Sequence, residues 1–470
     1  MNPSRTLNLF GGARLSVMML LQFFIWGSWY VTAPRVLGPI GFDGKAFGWL
    51  YSVGPIAGMI SPFFVGMIAD RFFSTERVLA VMHLLAAAAM YYATTLIQAE
   101  SPDPGLINFV FFLHMLCYFP TLALTNSLAL HNVSDSEKQF PLIRVFGTIG
   151  WILGNWTLSV MDWGTSIEMF YLASGAGVVL ALYSLTLPHT PPPSKGTKTT
   201  IREILGFDAL VLLEKRAFAI FMASSFLICI PLAFYYQLAE RTVGATGIED
   251  APFVMGFGQV SEIFFMLVMP FFFVRLGVKW MLAVGMLAWV LRYGLFAIGV
   301  PDQISMMVIA GVLLHGICYD FFFVTGQIYT DKVAPARIRS QAQGMLVFFT
   351  LGLGMFIGAQ VAGRVEKTWR SPDALAIKAE IETQGTKVTG LEKAIEAAKG
   401  QPDALVTLQT DLKTANAELA DLKLQDLRAY DWSMIWTIPA LAALAVLLLF
   451  LFVFPRNPES AHDEGDSPSP

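Results

Sequence analysis

Twelve stretches of this chain are each about twenty residues long and almost free of charge, the length an α-helix needs to cross the hydrocarbon of a bilayer. They run 15–34, 47–69, 78–97, 106–130, 140–161 and 167–187, then 218–238, 252–274, 280–300, 305–329, 342–363 and 432–454. In lipid every backbone N–H and C=O must be satisfied within the protein, so runs of this length fold as helices. Composition agrees: of 470 residues 55% are hydrophobic and 14% charged, against about 25% charged in a soluble domain. The first run is longer than a signal-peptide core and lacks a small-residue cleavage pattern, so it counts as a membrane helix.

The twelve runs fall into two sets of six around the polar, Pro- and Lys-bearing stretch "PHTPPPSKGTKTTIREILGFDALVLLEKR". The expected organisation is a six-helix bundle over 1–187, a cytoplasmic linker over 188–217, a second bundle over 218–454 and a polar cytoplasmic tail over 455–470. Six plus six is the pattern of a pseudosymmetric transporter whose substrate sits between the bundles near the bilayer midplane. Arg5, Arg14, Arg71, Arg77, Lys138, Lys195, Lys198, Arg202, Lys215, Arg216, Arg275, Lys279, Lys332, Arg337 and Arg339 all fall on one side of that arrangement. Basic loops stay in the cytoplasm, so both termini are expected there, in a bacterial inner membrane.

One insertion breaks the symmetry, over 366–430. Ala374, Ile377, Ile381, Gln384, Val388, Leu391, Ile395 and Ala398 step alternately by three and four. After "GQPD", Leu405, Leu408, Leu412, Ala415, Leu419 and Leu422 do so again, which predicts an antiparallel helical hairpin on the extracytoplasmic side. It is either a self-packed insertion or a docking arm for an extracytoplasmic protein.

Charges inside apolar runs are costly and mark function. The clearest is Asp320 in "HGICYDFFFVTG". By contrast Cys117, Cys229 and Cys318 lie in apolar runs, where they read as small core residues, and no Cys/His spacing suggests a disulfide framework or a metal site. No GxxxxGKS loop occurs, so ATP-driven transport is unsupported, and neither a cofactor nor a nucleic acid enters the expectation.

"GMIADRFFSTER", between the second and third helices, resembles the loop signature of the major facilitator superfamily, with Gly66, Asp70, Arg71 and Arg77 in the matching places. Physically it suits a cytoplasmic latch: glycine lets helices approach, and the carboxylate meets a helix N-terminus or a basic partner in one conformation. Longer blocks narrow the likeness. "LQFFIWGSWYVT", "FPTLALTNSLAL", "FPLIRVFGTIGWI", "TLPHTPP", "GQVSEIFFML", "AWVLRYGLFAIG", "HGICYDFFFVTG" and "ARIRSQAQGM" resemble the nucleoside:proton symporter family of that superfamily, almost continuously apart from the hairpin.

Arg144, Thr148 and Trp151 share a helix face at i, i+4 and i+7. A guanidinium, a hydroxyl and an indole suit a polar heterocycle, and the resemblance implies substrate contact there; alternatively Arg144 snorkels to the interface. Gln259 and Glu262 share a face at i and i+3, and the resemblance implies that they hold the ribose hydroxyls; the alternative is a hydrogen bond between helices. It further implies that Tyr319 lies against the base and that Asp320 is the acid. Glu262 has the same chemistry, so the coupled proton belongs to Asp320 or Glu262. The family often carries Tyr where His315 stands and amide residues where this chain has "CIPLAFYYQLAE"; Tyr236 and Gln237 are the expected substitutes. Gln22, Trp26 and Asn126 either line the cavity or bond neighbouring helices. His83 and His114 read as satisfied core histidines.

The expected fold is therefore an all-α, major-facilitator-type membrane protein. The expected function is proton-coupled nucleoside import by alternating access, with nucleoside, protons and the lipid bilayer as its partners. The rivals are a carrier for a sugar or an organic anion, and a non-transporting receptor or scaffold that uses the hairpin.

Overall fold

The computed structural model describes residues 9–133, 136–192, 207–335, 338–398 and 402–456. Arg5, Lys195, Lys198, Arg202, Arg337, most of the linker's centre and the tail from 457 lie outside the described residues. Those described form helices and their connections.

The first set is α1 (Leu9–Gly27), α2 (Gly44–Arg71), α3 (Thr75–Ile97), α4 (Pro104–His131), α5 (Ser136–Val160) and α6 (Glu168–Ser184). After a short 3₁₀ helix over Phe207–Glu214 come α7 (Arg216–Ala245), α8 (251–276), α9 (278–299), α10 (Ser305–Val333) and α11 (339–368). The hairpin arms are α12 (Ala374–Ala397) and α13 (Pro402–Arg428), and α14 (Trp432–Val453) closes the chain. Sequence explains the ends. Asp103 accepts from Gly105 N at 2.8 Å ahead of Pro104, Asp250 from Phe253 N at 3.1 Å, and Asp431 from Met434 N at 3.0 Å. Each is an aspartate cap that satisfies a donor the first helical turn leaves free.

Between α8 and α9 the chain turns within one residue, Gly277 (φ +64°, ψ 176°), a conformation open to glycine and strained for any residue with a Cβ. Nearby, Lys279 Nζ donates to Leu451 O at 3.0 Å and Phe454 O at 2.5 Å, placing a cation on the C-terminal carbonyls of α14. Two helices contain a wide π turn, Asp320–Val324 in α10 and Phe348–Gly354 in α11, a local widening common at functional sites.

The first six helices meet those from 216 onward along α2 with α11 and α5 with α8. Small residues set the first seam. A methyl on Gly363 would lie 2.1 Å from Gly44 O, so the two backbones touch.

The hairpin arms run antiparallel, and every heptad position named above is buried or half-buried. Gln384 Nε2 donates to Ala415 O at 3.0 Å, and Arg370 pairs with Asp426 at 3.0 Å at the base. The hairpin does more than pack on itself. Lys378 Nζ donates to Gly38 O at 2.9 Å in the α1–α2 connection, while Arg428 reaches Ala245 O at 3.2 Å and Gln303 at 3.0 Å in the second set. Burial, with Arg370 alongside, lowers the Lys378 ammonium below its ordinary pKa.

Candidate functional site

Between the two sets lies a cavity of about 350 Å³, within the size of small-molecule sites. Arg144, Thr148 and Trp151 face it from α5, Gln259 and Glu262 from α8, His315 and Tyr319 from α10, and Tyr236 from α7. The eight residues expected at a substrate site thus line one space. Asp320 does not: it is fully buried in the π turn of α10, and neither carboxylate oxygen has a hydrogen-bond partner among the described residues.

Glycine builds the α5 wall. Methyls on Gly150 and Gly154 would stand 2.1 Å from Leu20 O and 2.8 Å from Phe24 O, so α1 and α5 pack backbone to backbone. Gly147 has a different task, because a methyl there would lie 2.5 Å from Arg144 Nη1. The space lets Arg144 fold along the wall, its guanidinium carbon 4.3 Å from the Phe23 ring centroid, a cation–π distance. Arg144 lines the cavity in this position.

Glu262 faces Arg144 and Thr148 from the opposite set, and its Oε2 lies 3.7 Å from His315 Nε2. His315 stacks between Tyr235 and Tyr319, at 5.6 and 5.8 Å. The opposite wall is aromatic too: Trp26 meets Trp151 edge-on at 5.3 Å and Phe119 at 5.7 Å. Phe119 fits a slot in α2, where methyls on Gly54 and Gly58 would come within 2.9 and 2.8 Å of its ring. Phe23, Tyr30 and Phe119 are lining residues that sequence reasoning missed. Only the aromatic-rich block around Phe23 and the "FP" pair at Phe119 hinted at them.

Four polar atoms on lining residues are buried without a hydrogen-bond partner among the described residues: Trp26 Nε1, Asn126 Oδ1, Gln259 Oε1 and His315 Nδ1. Buried polar atoms are nearly always bonded, so this concentration marks unused binding capacity. Trp26 and Asn126 therefore line the cavity, whereas Gln22 belongs to the core. Its Nε2 donates to Thr121 Oγ1 at 2.8 Å and its Oε1 meets His83 Nε2 at 2.8 Å; His114 Nδ1 meets Ala86 O at 2.8 Å.

Gln237 departs from expectation. It points away from the cavity and donates to Glu366 Oε2 at 2.8 Å, while Arg241 Nη1 binds Glu366 Oε1 at 2.9 Å. With the Arg35–Glu240 pair at 3.0 Å and Gln360 Nε2 on Ser52 Oγ at 2.9 Å, this network ties the two sets together on the hairpin side. At the other end the side chains of Gly66, Asp70 and Arg71 lie outside the described residues. Arg77 is exposed on the first turn of α3, beside Glu76, which accepts from Thr190 N at 3.0 Å and pairs with His189 at 2.8 Å.

A family model described as nucleoside H+ symporter matches residues 11–379, ending inside the first hairpin arm. YegT of Escherichia coli (strain K12) is 41% identical over 360 residues, covering 75% of this chain and 83% of that one. The xanthosine permease of the same organism is 32% identical over 366 residues, covering 74% and 86%. The crystal structure of the nucleoside transporter NupG superimposes with a TM-score of 0.74 at 26% identity, covering 94% of this chain and 98% of the other.

Proposed function

The chain belongs to the nucleoside H+ symporter family, a proton-coupled nucleoside importer of the inner membrane, and from that premise we propose how its own residues do the work. The nucleoside occupies the cavity between α5, α7, α8 and α10, with its base among Trp151, Tyr236, His315 and Tyr319. Gln259 and Glu262 take the ribose hydroxyls, and Arg144 and Thr148 complete the polar contacts from the other set. The observation that carries this reading is the convergence of eight polar and aromatic side chains, from four helices, on one space holding unpaired donors and acceptors.

Asp320 carries the coupled proton. A buried carboxyl without partners is unfavourable when ionised and acceptable when protonated, so its charge state follows its access to water. Glu262, which borders the cavity and His315, couples that state to the substrate. The two sets, 1–187 and 218–454, rock about the site, joined by the 188–217 linker. Both termini are cytoplasmic, the Gly66, Asp70, Arg71 and Arg77 loop latches that side, and the 366–430 hairpin is extracytoplasmic. A binding panel tests the substrate class: nucleosides should displace labelled nucleoside at concentrations at which sugars and organic anions do not. Displacement by a sugar or an organic anion at the same concentration would replace this reading with that of the corresponding carrier.

A further inference from the structure

Arg292, in the middle of α9, is fully buried and outside the cavity, and it has no acidic partner within ion-pair distance among the described residues. A permanent charge in such a place needs a reason. Its Nε donates to Gly311 O at 2.9 Å, while Nη1 and Nη2 have no hydrogen-bond partner among the described residues. The guanidinium carbon sits 4.0 Å from the Tyr235 ring centroid.

Both contacts lead to the site. The regular turns of α10 are interrupted at Leu314, between Ser305–Leu313 and His315–Tyr319, and Gly311 is the residue one turn before His315. Its carbonyl, the normal acceptor for the amide four residues on, is held by Arg292. Gly311 also admits the approach of α9, since a methyl there would lie 2.4 Å from the Phe296 ring. On its other side Tyr235 stacks on His315 with an interplanar angle of 19°, and His315 borders Glu262 at 3.7 Å.

We infer that Arg292 is a positioning residue for the nucleoside site. It anchors the interruption of α10 through Gly311 and supports Tyr235 from beneath, so that His315 is presented to the cavity beside Glu262. The inference rests on the reading of His315 as a substrate contact. Lysine can keep the charge over Tyr235 and one donor toward Gly311; methionine keeps the volume and neither interaction. Methionine is also tolerable, because removing a buried charge without an ionic partner strands no counter-charge.

The experiment is a double-mutant cycle in proteoliposomes that reads KM and maximal rate for uridine and adenosine uptake. Arg292→Met should raise KM about tenfold with the maximal rate nearly unchanged, the size of one displaced hydrogen-bonding contact. Arg292→Lys should restore most of that loss. In a His315→Ala background Arg292→Met should change KM by less than about twofold. A rise in KM of equal size in both backgrounds overturns the inference, as does a fall in maximal rate at constant KM. If His315→Ala alone leaves KM at the wild-type value for both nucleosides, the site reading fails and the inference with it. Should Arg292→Met not accumulate, Tyr235→Leu in the same cycle reads the same path, with the same outcomes for and against.

Discussion

Replacing Glu262 by Gln removes one negative charge and leaves the side-chain volume unchanged. Glu262 is nearly enclosed, its side chain 13% exposed, so water does not substitute for a lost acceptor. A hydrogen bond from a ribose hydroxyl to a charged acceptor contributes about 1.5–3 kcal/mol and one to the amide oxygen that Gln retains about 1 kcal/mol, so the difference of about 0.5–2 kcal/mol predicts a loss of nucleoside affinity of about twofold to thirtyfold. Gln259→Ala removes a neutral partner, worth about 1 kcal/mol, and should cost about fivefold. Free nucleobases lack the ribose and should be affected by less than about twofold, since Trp151, Tyr236 and Tyr319 are unchanged. The assay is competition against a labelled nucleoside by nucleosides and by their free bases, in the same membranes. Equal weakening of the two ligand classes would refute the ribose assignment and return Gln259 and Glu262 to the role of interhelical polar residues.

Asp320→Asn should abolish uptake driven by an inward proton gradient while sparing nucleoside-for-nucleoside exchange; the same pattern in Glu262→Gln, with Asp320→Asn still accumulating, would move the coupled proton to Glu262. Gly147→Ala should displace Arg144 from the α5 wall, since a methyl would lie 2.5 Å from its Nη1, and lower nucleoside affinity by about tenfold in the same competition assay. Gly363→Ala places a methyl 2.1 Å from Gly44 O and should hold the hairpin end open; faster alkylation of a Ser52→Cys reporter from that side is the expected result, and an unchanged rate counts against closure by this seam. Lys378→Met removes the hairpin's bond to Gly38 and should shift the same reporter in the same direction, with little loss of folded protein because the ammonium is already disfavoured by burial.

What the sequence disclosed was periodic or local. The length of the apolar runs carries the helical membrane fold, and spacings of three, four and seven put Arg144, Thr148 and Trp151, and Gln259 and Glu262, on single faces. Helix geometry alone decides such relations. What stayed hidden depends on which helices meet. The slot that Gly54 and Gly58 make for Phe119 joins α2 to α4, and nothing near Phe119 in the chain records it. Gln237 adjoins Tyr236 in sequence, yet it points to Glu366 on α11, because neighbours on a helix face about 100° apart. The hairpin heptads were visible, but the reach of Lys378 to Gly38, 340 residues away, was not. The π turn at Asp320 has no signature in "CYDFFF".

The central claim is nucleoside import coupled to protons through this cavity, and one measurement meets it directly. The purified protein is reconstituted in proteoliposomes, and radiolabelled nucleoside is followed with and without an inward pH gradient. The account predicts accumulation above the external concentration only with the gradient, its collapse on adding a protonophore, and its loss in Asp320→Asn. Accumulation to the same level without a gradient, or full gradient-driven accumulation by Asp320→Asn, would contradict it.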